Sequence, residues 1–284
     1  MTKVLILKAL AFLTTLHLSS AMGPIERPSS AVLSSLRRRG GASPLDQTAV
    51  AKVFGTACLL QGAQNVLAPK IQNIYGGELS DTDCNAKTNR RIGISILNVG
   101  VHIYCLLFKG YDMKVSATIN SLMWMADVLS SLLNNESETI GPSKAGDLSI
   151  LAFTTPVVYS GLNDLPWFGT ALKANAIFTI VCGIPLMAAP SFGVKLWELK
   201  GDDDLTPGSL SICGAMLTVM GTMTASLAWG IDPLTAAGYT CAAAAVLDLK
   251  LFFFTPEVDK FGMNKTILGI WPLFAAISAA SILI

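Results

Sequence analysis

The stretch Arg91–Leu133 decides the fold class: RIGISILNVGVHIYCLLF (91–108), KGYD (109–112) and MKVSATINSLMWMADVLSSLL (113–133). It consists of two hydrophobic segments joined by a short polar connection. Each segment is long enough to cross a bilayer as a helix, because about 20 apolar residues at a rise of 1.5 Å span a hydrocarbon core of about 30 Å. The short connection makes the two helices pack antiparallel. The pattern therefore predicts a transmembrane helical hairpin.

Polar residues lie within both helices of this hairpin. Asn98 and His102 are four residues apart and share one helix face, and Asn120, Trp124 and Asp127 share a face of the next helix. A His or an Asp at membrane depth costs free energy unless it meets a partner, water or a ligand. We therefore predict that these five residues bind a substrate. If His102 and Asp127 meet, they could relay protons; alternatively, each polar group bonds across the bundle and only fixes packing.

A second polar group lies toward the end of the first predicted helix and comprises Gln61, Gln64 and Asn65. We expect it to contribute a polar cavity for a substrate headgroup. The alternative is an interfacial helix end or ordinary hydrogen bonds between helices. No residue is assigned a catalytic role.

The composition indicates a polytopic membrane protein with an all-α fold. Charged residues make up 14% of the 284 residues, whereas an ordinary soluble domain has about 25%. The hydrophobic fraction is 52%, which fits helices that face lipid. The net charge of +1 and the lack of a basic patch interleaved with aromatic residues exclude a nucleic-acid partner.

Motifs for cofactors and common reactions are missing from the sequence. There is no Walker loop, dinucleotide fingerprint, HExxH motif or GxSxG elbow. The six Cys form no CxxC pair or zinc spacing, and the two His exclude a multi-histidine iron site. We therefore expect no cofactor and no metal, and the sequence favours a protein that is not an enzyme.

The first 47 residues resemble targeting segments and do not belong to the predicted fold. Met1–Ala21 has Lys3, an apolar run and the small residues Ser19-Ser20-Ala21, which is typical of a cleaved signal peptide; an uncleaved anchor is the alternative. Residues 22–47 are rich in Ser and Arg and poor in acidic residues, like a transit peptide.

This order of segments resembles the bipartite presequence of algae with complex plastids. In that family an aromatic residue, usually Phe, opens the transit part, whereas this chain has Met22. The resemblance implies entry through the secretory pathway and a location in plastid membranes or elsewhere in the endomembrane system.

Beyond the presequence we predict about eight transmembrane helices, or seven if the short fourth segment does not span. The segments are Thr48–Leu67, Ile92–Phe108, Met113–Leu133, Leu148–Leu162, Ala174–Ala189, Ser209–Trp229, Leu234–Phe254 and Ile267–Ile284.

An internal duplication is predicted from matches between the two halves. At an offset of 121 residues, Gly93, Gly100 and Asp127 match Gly214, Gly221 and Asp248; Asp81 and Asp83 match Asp202 and Asp204; and Ala68-Pro69 matches Ala189-Pro190. Phe54 and Cys58 match Phe178 and Cys182 at an offset of 124. We therefore expect two tandem four-helix units, 48–165 and 166–284, that share one orientation in the membrane.

The start of each unit resembles small four-helix membrane proteins of the DoxX-like kind. The shared pattern is Phe-x3-Cys followed by Ala-Pro, with Tyr75-Gly76 present only in the first half. The resemblance covers about one helix and its following loop in each half. It implies a four-helix membrane bundle and assigns no active site.

The loop charges predict the orientation. Ten Lys and Arg residues lie on the side that contains the connection between the first two helices, against four on the opposite side. The positive-inside rule places the ten in the cytosol or its equivalent. The sequons at Asn135 and Asn264 are then expected to remain unmodified.

For function, the sequence favours binding or transport of a small or lipophilic molecule within the lipid bilayer. A first alternative is a structural or assembly subunit that partners other subunits of a membrane complex. A second is a membrane enzyme that uses His102 and Asp127 as an acid–base pair.

Overall fold

The computed structural model describes residues 46–69, 83–141, 143–200 and 205–284, and in these ranges the fold is entirely helical, as predicted. The helix that contains His102 ends at Ile103 and continues into a π-helical turn, Tyr104–Phe108. The helices are α1 Gln47–Leu67, α2 Asp83–Ile103, α3 Met113–Leu133, α4 Glu136–Thr139, α5 Lys144–Leu162, α6 Phe168–Ala188, α7 Pro190–Leu196, α8 Thr206–Ala228, α9 Pro233–Phe254, α10 Pro256–Asp259, α11 Lys265–Leu268 and α12 Ile270–Leu283.

Several predicted features lie outside the described residues. These are the signal peptide, all but the last residues of the transit-like segment, Tyr75-Gly76, and the aspartates Asp81, Asp202 and Asp204. The predicted boundary between the two units, after residue 165, falls in the loop between α5 and α6.

Four of the described helical segments are long and apolar enough to cross a membrane. They are Asp83–Phe108, Phe168–Ala188, Thr206–Ala228 and Pro233–Phe254, and α12 is apolar but shorter. Eight spans are therefore not supported by length and composition alone. Polar and charged residues such as Gln61 in α1, Asp127 in α3 and Asp147 in α5 reduce the apolar character of those helices.

The helices α3 and α9 begin in the same way after their hairpin turns. Gly110 and Gly230 have positive φ values of 65° and 81°, which glycine adopts without steric cost. Two residues later, Asp112 accepts a hydrogen bond from the backbone N–H of Val115 (2.8 Å), and Asp232 caps the start of α9 in the same manner. These caps fix where α3 and α9 begin.

Close backbone contacts hold α1 to α2 and α6 to α8. A Cβ atom on Gly93 would lie 2.7 Å from the Cβ of Asn65 and 2.9 Å from the carbonyl oxygen of Gly62. A Cβ atom on Gly214 would lie 2.6 Å from the carbonyl oxygen of Gly183. Only glycine permits this approach of two helix backbones. Gly183 and Gly214 follow Gly62 and Gly93, respectively, by 121 residues in sequence.

The remaining helix contacts follow the same order in both halves. The third long helix of each half packs against the fourth, α3 on α5 and α9 on α12. At the centre, α2 packs against α8, and the fourth helix of each half contacts the first helix of the other, α5 on α6 and α12 on α1.

This packing corrects two of the matches between the halves. The contacts of α1 and α6 correspond at 121 residues throughout, so Phe54 and Cys58 correspond to Asn175 and Thr179 and not to Phe178 and Cys182. The caps at Asp112 and Asp232 are 120 residues apart, and every buried residue of α9 corresponds to a buried residue of α3 at this offset. Counted from the matched glycines of α2 and α8, the segment that precedes α9 is one residue shorter than the segment that precedes α3. The offset between these two helices is therefore 120 residues and not 121.

The displacement separates the two aspartates that the sequence appeared to align. At the offset of 120, Asp248 corresponds to the fully buried Val128, and Asp127 corresponds to the half-buried Leu247. Asp127 and Asp248 therefore do not occupy equivalent places.

The glycine contact predicts the effect of one added methyl group. Gly93→Ala should lower the free energy of unfolding by about 1–3 kcal/mol, because the new Cβ atom overlaps the α1 backbone. Gly169→Ala is the matched control, since no heavy atom lies within 4 Å of its Cβ position and alanine favours helix. Thermal unfolding in detergent should show a loss only for Gly93→Ala; equal behaviour of both variants would contradict the close contact.

Candidate functional site

Two cavities lie on either side of the contact between α2 and α8. The first has a volume of about 80 Å³ and is lined by residues of α2, α3, α5, α6 and α8. The second has a volume of about 110 Å³ and is lined by residues of α1, α2, α8, α9 and α12. Both are large enough for several water molecules or part of a small ligand.

Part of the lining of each cavity comes from positions that are separated by 121 residues. Eleven such pairs have one member in each cavity, the first-half residue being named first: Phe54/Asn175, Cys58/Thr179, Gln61/Cys182, Asn65/Leu186, Arg91/Ile212, Ile92/Cys213, Ile96/Leu217, Asn98/Val219, Val99/Met220, Ile150/Trp271 and Thr154/Ala275. The cavities therefore share a framework and differ in chemistry.

Four of the predicted site residues line the first cavity: Asn98, His102, Asn120 and Trp124. Asn120 donates from Nδ2 to the carbonyl oxygen of Asn98 at 3.2 Å, while its Oδ1 is buried and has no hydrogen-bond partner in the described residues. Trp124 donates from Nε1 to the sulfur of Met220 at 3.4 Å. These residues come together beside an open space, as a binding site requires.

The structure does not bring His102 and Asp127 together. His102 Nδ1 is 2.7 Å from Ser116 Oγ, whereas Asp127 contacts Arg90 and Arg91. The antiparallel hairpin explains this result, because residues near 102 lie opposite residues near 116 and residues near 91 lie opposite residues near 127. The predicted acid–base pair was wrong because shared helix faces say nothing about depth along the helices.

Asp127 belongs instead to a buried ionic cluster that the sequence reasoning missed. Arg90 Nε lies 2.6 Å from Asp127 Oδ1, and Arg91 Nε lies 3.1 Å from Asp127 Oδ2. Arg91 also reaches Asp147 Oδ1 at 2.5 Å. Asp127, Asp147 and Arg91 are each less than one-tenth exposed. Asp127 lines neither of the two cavities.

The cluster is completed by Lys87 and Glu136, which are 3.1 Å apart, and by Ser131. Glu136 also receives a hydrogen bond from Arg90 at 3.1 Å, and Ser131 Oγ donates to Asp147 at 2.6 Å. Three cations thus meet three carboxylates, so the group is neutral overall. A buried charge without such partners would cost several kcal/mol. The signal in the sequence is the dipeptide Arg90-Arg91 placed opposite Asp127 in the hairpin.

The remaining predicted residues lie at the second cavity or outside both. Gln61 and Asn65 line the second cavity, and Gln61 Nε2 donates to Asn65 Oδ1 at 2.8 Å. Gln64 lines neither cavity. Asp248 also lines the second cavity, is 7% exposed, and its Oδ1 has no hydrogen-bond partner among the described residues.

Within the described ranges, no group of three or more His, Cys, Asp and Glu side chains could hold a metal ion. All six cysteines are free thiols. Five of them are buried, and Cys58, Cys105 and Cys241 lie in apolar clusters, where a thiol behaves as a small hydrophobic group.

Removing one member of the ionic cluster should be strongly destabilising. Asp127→Asn leaves Arg90 and Arg91 without their shared carboxylate, and we expect a loss of about 3–5 kcal/mol in the free energy of unfolding. Asp259→Asn is the control, because Asp259 and Lys265 form a half-exposed pair at 2.8 Å that is worth about 0–1 kcal/mol. Unfolding in detergent by a denaturant series measures both; a loss for Asp127→Asn no larger than that of the control would contradict the cluster's structural role.

Comparison with known proteins finds no matching family model, no matching characterised protein and no matching solved structure. The resemblance to DoxX-like proteins and to complex-plastid presequences therefore stays a prediction.

Proposed function

We propose that this chain is an integral membrane protein that binds or transports a small or lipophilic molecule, and that the first cavity holds it. The observation that carries the proposal is the buried acceptor Asn120 Oδ1, which lines the cavity without a hydrogen-bond partner in the described residues. A buried amide oxygen without a partner costs free energy, and a ligand donor would remove that cost.

Membrane insertion is supported by four apolar helices, and we extend it to eight spans. The helices α1, α3 and α5 carry their polar residues toward the interior, where Asn65, Asn120 and Asp147 are buried. Their outer surfaces are apolar: Leu60 is 70% exposed and Leu133 is 77% exposed. Polar residues inside a membrane protein face the bundle interior. The lipid-facing surface of these three helices is therefore more apolar than the mean hydropathy of their sequences.

We further propose that the eight helices are two tandem four-helix units derived from one duplicated ancestor. The shared glycine contacts, the matched helix order and the paired lining positions support this interpretation. Four helices return the chain to its starting side, so the units would be related by an axis along the membrane normal. Such repeats commonly form a binding site where the two units meet.

We keep the endomembrane or plastid location, with entry through the secretory pathway, as part of the proposal. Its support is the presequence pattern of residues 1–47, most of which lies outside the described ranges.

The ligand of the first cavity should carry a hydrogen-bond donor on an apolar body. Uncharged polar groups, among them Asn98, His102 and Asn120, line the cavity where α2 and α3 meet. Opposite them the lining combines apolar residues such as Leu172 and Leu217 with Asn175 and Thr179. A molecule with one polar group would satisfy Asn120 and leave the rest of its surface against these leucines.

The second candidate function is a structural or assembly subunit of a larger membrane complex. The observation that favours it is the ionic cluster, whose six charged residues pair with one another and so join α2, α3, α4 and α5. An enzyme that uses His102 and Asp127 is no longer supported, because each side chain bonds a different partner.

Asn120→Leu tests the proposed site, because it removes the acceptor while the side chain keeps its branched shape. Protein purified in native membrane discs should release a defined small molecule on solvent extraction, detected by mass spectrometry at near-stoichiometric amount. We expect Asn120→Leu to retain about fivefold to 150-fold less of it, since a lost buried hydrogen bond is worth about 1–3 kcal/mol. Val181→Leu, at a position that is 60% exposed, is the control and should retain it fully.

Equal retention by Asn120→Leu and the control would contradict the site. Absence of any such molecule from the wild-type protein, together with co-purifying membrane subunits, would favour the structural role instead.

A further inference from the structure

We propose that the second cavity is a separate binding site for an amphipathic organic amine, with Asp248 as the partner of its ammonium group. The proposal concerns a different cavity, ligand class and set of residues from the site proposed above.

The first observation is that the Asp248 side chain is buried and incompletely hydrogen-bonded. Its side chain is more than nine-tenths buried, lines the cavity, and leaves Oδ1 without a hydrogen-bond partner among the described residues. A buried carboxylate is stable only when it is paired or hydrogen-bonded. Asp248 therefore occupies a position that an external cation or N–H donor would satisfy.

The second observation is the absence of an internal cation in the lining. Among the described residues that line the second cavity there is no Lys, Arg or His. Asp127 in the first half is neutralised by Arg90 and Arg91, and the corresponding positions in α8 are Ser211 and Ile212. Ser211 Oγ donates to the carbonyl oxygen of Met187 at 3.2 Å and supplies no charge. The second cavity thus has a buried carboxylate and, among its described lining residues, no cation that pairs with it.

The third observation comes from the comparison of the halves. The first-half position that corresponds to Asp248 is Val128, which is fully buried in the apolar core. An apolar side chain therefore fits this place in the fold, and packing alone does not require a carboxylate in α9. A polar group at a position that tolerates valine points to a ligand.

The rest of the lining defines the ligand. Gln61, Asn65 and Ser95 surround the polar part of the cavity with hydrogen-bonding groups. The remainder is apolar, with Phe54 and Val219, and Trp271 supplies an aromatic ring that can attract a cation. An ammonium group attached to a small apolar body matches this arrangement, whereas an anion would meet an acidic group and no basic one.

Three probes of similar shape separate the charge of the ligand from its apolar body. Phenylbutylamine carries an ammonium group at neutral pH, phenylbutanol is neutral and phenylbutyrate is an anion. Binding is measured by calorimetry or ligand-observed NMR with the full chain in discs of phosphatidylcholine, whose lipids have no net charge. We expect the wild-type protein to bind the amine most tightly and the anion least.

Asp248→Asn should weaken amine binding by about tenfold to a hundredfold, because a charge-assisted hydrogen bond is lost. It should leave phenylbutanol binding unchanged and should not lower thermal stability in the absence of ligand. Asp259→Asn removes a half-exposed carboxylate and is the charge-matched control. Asn120→Leu in the first cavity should not change amine binding, which keeps this test separate from that of the first site.

Discs that contain phosphatidylethanolamine distinguish two sources of the ammonium group. If phosphatidylethanolamine weakens the binding of the added amine, the site is assigned to a lipid headgroup. If it does not, the site is assigned to a free amine. The proposal is overturned if Asp248→Asn binds phenylbutylamine as tightly as the wild type, or if phenylbutanol binds as tightly as the amine. Loss of stability in Asp248→Asn without ligand would likewise overturn it, because Asp248 would then have a structural partner.

Discussion

The direct contact of helix backbones at glycine pairs is the constraint on which the rest of this structure depends. Gly62 with Gly93, and Gly183 with Gly214, bring the first two helices of each half so close that no side chain separates them. In a bilayer, where lipid tails are as apolar as the side chains, such contacts supply much of the attraction between helices. They fix α2 and α8 at the centre, and the cavities lie where the other helices meet this central pair.

The polar and charged residues buried inside the helix bundle differ between the two halves. The first half gathers three cations and three carboxylates into one neutral cluster, and two members of that cluster, Lys87 and Arg91, line the first cavity beside uncharged polar groups. The second half has Ser211 and Ile212 where the first has arginines, and the buried carboxylate of Asp248 lines the other cavity. A shared framework with different lining residues allows two cavities to take different ligands, while the ionic cluster serves stability.

The sequence predicted the helical class and grouped Asn98, His102, Asn120 and Trp124, because a helix period places them on common faces. It did not predict depth, so it paired His102 with Asp127 instead of matching Asp127 to Arg91. The repeat offset of 121 holds for the glycine contacts, yet a one-residue difference in a loop displaces the third helices and cannot be seen from isolated matches. Whether buried polar groups find partners depends on packing between distant helices, which a single sequence does not reveal.

The first and fourth helices of the two halves exchange contacts, α12 with α1 and α5 with α6, and disulfide cross-linking can detect both contacts. In a background without native cysteines, Phe54→Cys with Phe274→Cys joins α1 to α12, where the ring centroids are 5.9 Å apart. Asn175→Cys with Phe153→Cys joins α6 to α5, where Asn175 donates to the Phe153 carbonyl oxygen at 3.3 Å. Both pairs should cross-link in membranes, and Phe54→Cys with Phe153→Cys, within one half, should not. Cross-linking of the same-half pair without either exchanged pair would contradict the account.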